Sequence, residues 1–220
     1  MIKDSTFEFL QAVAANNNRE WFQLNKARYE DARANAIDFT REVIKGLSAF
    51  DPLIKSDMDP ASCVLRIYRD IRFSKDKTPY KTNIGIGISP NGRNSKGPGY
   101  YIHLHPENSF ITGGCWMPEA GLLKAIRQEI DYNSSEFNSL IKDPDFIKYF
   151  NDLDREDLLK TTPKGYDADH PFIKYLKLKS FTASHDVNRN IFTSKDSITH
   201  TLEVLKALLP FIDFLRNAVS

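Results

Sequence analysis

Apolar residues in this chain recur every three or four positions towards both ends and every second position in the middle. That double change of period restricts it to a fold in which helices flank a sheet. From Tyr29 onward the positions Tyr29, Ala32, Ala36, Phe39, Val43 and Leu47 mark one helical face, which Gly46 and Asp51-Pro52 close. Ahead of it, Ser5-Thr6-Phe7-Glu8 has the form of a capping box for a first short helix that stops near Asn16-Asn17-Asn18. Between residues 61 and 116 the period becomes two. Ile84-Gly85-Ile86-Gly87-Ile88 alternates strictly, Tyr101-His103-His105 alternates with Ile102-Leu104, and Cys63-Leu65-Ile67 alternates with Val64-Arg66-Tyr68. Strands are therefore predicted near 62–73, 83–89, 99–105 and 109–116. The turn residues Pro90-Asn91-Gly92 and Pro106-Glu107-Asn108 leave room only for antiparallel hairpins.

After Pro118 the helical spacing returns at Leu122, Ile126 and Ile130, and further helices are predicted over 134–142, 144–151 and 169–178, the last of these capped by Asp169. A final helix from Ser194 places Ile198, Leu202, Leu205, Leu209 and Ile212 on one face and should bend at Pro210. The expected class is α+β: a central antiparallel sheet flanked by N-terminal and C-terminal helices. At 220 residues the chain suits one domain, 1–220, large enough to bury a core without disulfides. Cys63 and Cys115 then read as two buried thiols. The opening MIKDSTFEFL has neither the basic nor the apolar segment of a leader, and no run has the eighteen or so apolar residues of a membrane span. The expected location is the cytoplasm, with no membrane partner.

Charge is balanced overall, with 30 basic against 29 acidic residues, but not locally. Residues 63 to 105 hold eight Lys or Arg against Asp70 and Asp76 alone. Proteins that track duplex nucleic acid carry their surplus over the whole domain, so a net charge of +1 disfavours an extended nucleic-acid face and suits a small anionic ligand. The surplus concentrates in LRIYRDIRFSKDKTPYK, residues 65–81. In an unbroken strand Arg69 would fall on the core face with Cys63, Leu65 and Ile67. An unpaired guanidinium is too costly to bury, so it must either meet a carboxylate or anionic ligand, or a bulge must turn it outward. Asp70 can answer Arg72 but not Arg66 as well. A turn through Asp76-Lys77-Thr78-Pro79 would bring Lys77, Tyr80 and Lys81 back towards the arginines.

Arg66, Arg69, Asp70, Arg72, Lys77, Tyr80 and Lys81 are thus the candidate ligand-binding set, with phosphate or carboxylate as the anion. A structural salt-bridge network in a non-catalytic interaction module accounts for the same residues. If the site is catalytic, Asp70 and His103 are the first candidates for proton transfer. His103-Leu104-His105, two imidazoles on one strand face with Glu107 just beyond, is the best metal candidate and gives a metal-dependent enzyme as a second alternative, provided the fold brings His170, His185 or Cys115 near as a further ligand. Eight of the ten glycines lie between 85 and 121. Gly85 and Gly87 bare one face of their strand, open to a ligand or, more economically, to a packing aromatic such as Tyr101 or Trp116. The loop from Gly92 to Gly99 lacks the Lys and Ser/Thr that a phosphate loop needs after its second glycine. No cofactor motif is present.

Arg66-Ile67-Tyr68-Arg69-Asp70-Ile71-Arg72-Phe73, with Asp76-Lys77 and Tyr80 beyond it, resembles the R-x-x-R-D-x-R-F…[D/N]-K-x-x-Y signature of domain of unknown function 2461, a mostly bacterial family. The likeness extends to Arg19-Glu20-Trp21-Phe22, Gly113-Gly114 and Pro163-Lys164-Gly165-Tyr166. It implies one conserved domain over nearly the whole chain and brings no activity with it.

Overall fold

Three helices follow one another at the N-terminus: α1 (Asp4–Ala15), α2 (Arg19–Leu24) and α3 (Lys26–Leu47). A computed structural model describes residues 1–90, 92 and 97–218. The capping-box residues lie inside α1, and no side chain at its N-cap closes it. A carboxamide from α3 does that work instead. Asn35 Oδ1 accepts from the Lys3 N–H at 2.8 Å and from the Thr6 hydroxyl at 2.9 Å, satisfying donors that a helix start leaves open. The buried stripe of α3 contains Ala32, Ala36, Phe39, Val43 and Leu47, as the spacing predicts. Gly46 does not end the helix. It lies within it, where a Cβ would stand 2.3 Å from Leu202 Cδ1, so a bare position admits the leucine.

The run predicted as a strand over 62–73 is not one. Its start is a short helix, α4 (Pro60–Cys63), whose N-cap Asp59 accepts from the N–H groups of Ala61 and Ser62. The remainder pairs only through isolated antiparallel bridges, Val64 with Ile86 and Tyr68 with Tyr80. The bridged residues are four positions apart on one side and six on the other, so the register slips between them and no continuous ladder forms. The regular strands are β1 (Ile84–Ile88), β2 (Gly99–Leu104) and β3 (Phe110–Cys115), joined in the predicted hairpin order. Helices α5 (Ala120–Tyr132), α6 (Ser134–Ile141), α7 (Pro144–Phe150) and α8 (Ile173–Leu176) then precede the fourth strand, β4 (Phe181–Asp186). The antiparallel sheet has the order β1-β2-β3-β4. The predicted helix over 169–178 shrinks to α8, with Phe172 and not Asp169 at its N-cap.

After α9 (Arg189–Phe192), α10 (Ser197–Asn217) runs through Pro210, whose ring lies on its exposed side. Its buried positions are Ser197, Thr201, Val204, Leu205, Leu208, Phe211, Ile212, Phe214 and Leu215, whereas Ile198, Leu202 and Leu209 are only half-buried. The predicted stripe was therefore displaced around the helix. With helices at both ends and a four-stranded antiparallel sheet, the fold is α+β.

The chain divides into two compact units. One comprises Met1–Arg93, Tyr101–Ile111 and Asp186–Glu203; its core includes Phe7, Phe22 and Phe39, the last with its ring 6.0 Å from that of Phe192. The other comprises Asn94–Tyr100, Thr112–His185 and Val204–Ser220; there Phe137 packs against Phe214 and Phe146 against Phe211. Strands β2 and β3 each contribute residues to both units. Arg93, Asn94, Ser95 and Lys96 of the glycine-rich loop, and Asn91 of the preceding turn, lie outside the described residues. Among those described, no helix is long and apolar enough to cross a membrane.

Candidate anion-binding cleft

The site lies in the first unit and is built from α2 and the loosely paired arms 64–69 and 79–86. Asn18 caps α2 by accepting from the Trp21 N–H at 2.9 Å, which fixes Arg19 as the first helical residue. Gln23, four residues on, shares its face. Phe22 is buried and stacks on Tyr80, with ring centroids 3.9 Å apart and planes 12° from parallel. Phe9 and Tyr29 pack against Phe22 in turn, so an aromatic cluster supports the floor of the site. Tyr80 is held by its backbone as well. The Asn17 side-chain amide donates to the Tyr80 carbonyl at 2.9 Å and accepts from the Tyr80 N–H at 3.1 Å. Across the bridge, the half-exposed Tyr68 ring lies 5.5 Å from that of Tyr80.

Between these groups is a cleft of about 310 Å³, lined by Arg19 and Gln23 of α2, by Tyr68, Arg69 and Ile71, and by Pro79 and Tyr80. The Arg69 guanidinium donates to the Asp76 carboxylate and to the Thr78 hydroxyl. Of the two ways to accommodate this residue, the chain uses a carboxylate. Asp76 is held at about 2, first by the Thr78 backbone N–H, then by Arg69 and the Thr78 hydroxyl. Arg72 is answered by Asp70 through two bonds, Nε to Oδ1 at 3.0 Å and Nη2 to Oδ2 at 2.7 Å, and this pairing holds Asp70 at about 2. Lys77 Nζ donates to the Ile71 carbonyl at 2.9 Å. Asp70, Arg72 and Lys77 thus knit the 70–78 loop to itself, on side chains that are largely exposed.

Arg66 and Lys81 form no ion pair among the described residues, although the Arg66 charge helps to lower the Asp70 pKa. Lys81 is half-buried, and burial, followed by the nearby Arg66 charge, lowers its ammonium pKa. Arg19 likewise makes no ion pair among the described residues. It contributes to the electrostatic environment of Tyr80, whose hydroxyl pKa is raised chiefly by burial.

His103 lies apart from the cleft lining. On the outer side of β2, Tyr101 covers Gly85, where an added Cβ would stand 2.5 Å from the phenolic oxygen. The bare strand face therefore receives an aromatic ring, the more economical of its two readings. His103 Nδ1 lies 3.1 Å from the Tyr101 hydroxyl and 3.4 Å from Asn83 Nδ2, and its ring stacks on Phe110 at 4.5 Å. Burial, helped by His105 and Lys81, pushes its pKa down to about 4, so the imidazole is neutral at pH 7. His105 Nδ1 accepts from the Glu107 and Asn108 N–H groups at 3.2 Å each, which closes the turn after β2. Among the described residues, no group of three or more His, Cys, Asp or Glu is gathered for a metal ion. Cys63 and Cys115 are both buried, and burial raises the Cys115 thiol to about 11.

A family model described as conserved hypothetical protein (DUF2461) matches residues 5–214. The chain belongs to the DUF2461 family. No curated protein and no solved structure matches it. In this DUF2461 chain the signature residues separate by position. Arg69 and Tyr80 line the cleft, Asp70, Arg72, Asp76 and Lys77 tie down the loop beside it, and Arg66 remains exposed. Sequence reasoning passed over Arg19, Gln23 and Tyr68. Their only signals were the Asn18 cap, the four-residue spacing of Arg19 and Gln23, and a place in two stretches shared with the DUF2461 pattern. None of these says that α2 and residue 80 meet.

Proposed function

We propose that this DUF2461 protein binds a small anionic ligand in the cleft, with Arg19 and Arg69 holding the anion and the Tyr68 and Tyr80 hydroxyls donating to it. The observation that carries this reading is Arg19. It is an arginine with no carboxylate partner among the described residues, lying on the same cleft as a second arginine and two phenols. A guanidinium offers a planar fork matched to carboxylate or phosphate, and a charge-assisted bond of that kind is about twice as strong as a neutral one. Burial raises the Tyr80 pKa, so its hydroxyl keeps the proton it would donate. Arg66 and Lys81 add positive potential nearby, while Asp70, Arg72 and Lys77 act indirectly by shaping the loop. A purely structural network accounts for Arg69 and Arg72, each met by a local carboxylate, but gives no role to Arg19, Arg66 and Lys81, the first two of them exposed. The lining holds no carboxylate, imidazole or thiol among its described residues, so binding is the activity it supports and no chemical step is assigned.

The test is a titration of the protein with acetate and with inorganic phosphate, followed by amide chemical shifts. At least one anion should shift residues 19–23 and 68–80, and Arg19→Met should weaken that binding about tenfold or more while leaving the melting temperature unchanged. Equal binding by the variant, or shifts scattered over other lysines, would remove the proposal.

A further inference from the structure

We infer that the ligand class of this cleft is an aryl carboxylate: one carboxylate carried on a flat apolar body. The inference rests on the anion-binding reading and narrows it by charge, wall chemistry and size.

The charge comes first. Two guanidinium groups line the cleft, but Arg69 already meets the Asp76 carboxylate, which leaves Arg19 as the lining cation without an acidic partner among the described residues. One unanswered positive charge balances one negative charge. A phosphate monoester carries nearly two at neutral pH and would need a second cation in the lining. Arg66 and Lys81 are not part of that lining.

The walls come next. Tyr68, Tyr80, Pro79 and Ile71 present mostly carbon, and pockets of this composition hold a largely apolar ligand oriented by a few polar groups. Tyr80 is fixed from behind by its stack on Phe22, and Tyr68 meets it at 53°, so the two rings form a corner. Tyr80 is 4 % exposed and Tyr68 47 %, so a planar ring at that corner gains its contact chiefly from Tyr68, with Tyr80 behind it. Size points the same way. At about 310 Å³ the cleft is at the small end of the range for organic ligands, and a compact inorganic anion such as phosphate would leave much of it unused. Together, one unanswered cation and an aromatic corner on the same cleft describe a benzoate-like molecule.

Four probes separate the outcomes: benzoate, acetate, phenyl phosphate and inorganic phosphate, each titrated into the full-length protein at about pH 7.5, where phenyl phosphate, a monoester, is close to doubly charged. Benzoate should bind about tenfold or more tightly than acetate, and phenyl phosphate no more tightly than benzoate. The Tyr68 and Tyr80 ring protons should shift with benzoate and not with acetate. Arg19→Met should abolish benzoate binding, and Arg19→Lys, which keeps the charge without the fork, should retain part of it. Equal affinities for benzoate and acetate, both lost in Arg19→Met, would overturn the aryl class and leave anion binding standing. Phenyl phosphate binding about tenfold more tightly than benzoate would replace the monoanion with a dianion. Failure of all four probes, or binding indifferent to Arg19, would end both readings.

Discussion

Arg69 has two competing demands on it, because the guanidinium that lines the cleft also holds the 70–78 loop through Asp76 and Thr78. A ligand carboxylate arriving at Arg69 must share it with Asp76. Asp76→Asn keeps the shape and an acceptor for the Thr78 backbone N–H but removes the competing charge. It should therefore tighten acetate or benzoate binding by roughly three- to tenfold, read by calorimetry. His103 makes a different prediction. Its pKa falls from 6.5 to about 4 on folding, so above pH 6.5 both states are neutral and its contribution is complete. As pH falls from 6.5 towards 4 the unfolded chain takes up the proton first, and stability declines across that window. The imidazole protons of His103 should titrate near 4 by NMR, and His103→Gln should flatten the fall in melting temperature between those limits. At this scale the sequence made Arg69 legible as an arginine in need of a carboxylate, although the alternation behind that reading does not hold: Val64 is as buried as Cys63 and Ile67, and Leu65 and Arg69 are only half-buried. Which carboxylate it meets depended on the turn at 76–78, which no periodicity records.

Among the elements, β1, β2 and β3 were readable because isoleucine and tyrosine alternate cleanly with short turns between them. β4 was not. Phe181-Thr182-Ala183-Ser184-His185-Asp186 holds only two strong strand formers, and its place in the sheet depends on what it meets. At Gly114 the backbone has φ +129, and an added Cβ would lie 2.0 Å from the Phe181 carbonyl oxygen. Gly114→Ala combines a disfavoured dihedral with a clash against backbone, which has no rotamer by which to yield. It should cost about 2 kcal/mol or more in urea denaturation, with amide exchange accelerated in β4. The reverse error, a strand predicted over 62–73, has a charge explanation. Arg66, Arg69 and Arg72 must reach water or an acid, and the chain abandons regular pairing after Val64 to let them. On α10 the predicted stripe was right at Leu205 and Ile212, which are buried, but Val204, Leu208, Phe211 and Leu215 bury more deeply than Ile198, Leu202 and Leu209.

For the whole molecule, the two buried cysteines are natural reporters, Cys63 in one compact unit and Cys115 in the other. Because β2 and β3 each contribute to both units, we expect both thiols to become reactive towards a disulfide reagent at the same urea midpoint. Separate midpoints, assigned by peptide mapping, would mean that the units unfold independently. Composition and length allowed a core of this extent, and near-neutral net charge was plain from the outset. The cleft was not, since it joins Arg19 to Tyr80 across some sixty residues of chain. The Asn17 amide has one more effect. The Tyr80 N–H and carbonyl face away from the Tyr68 arm, the arrangement that invites a foreign strand to add on. Asn17 fills that vacancy with its own donor and acceptor, so at this point a single side chain guards the protein against edgewise self-assembly.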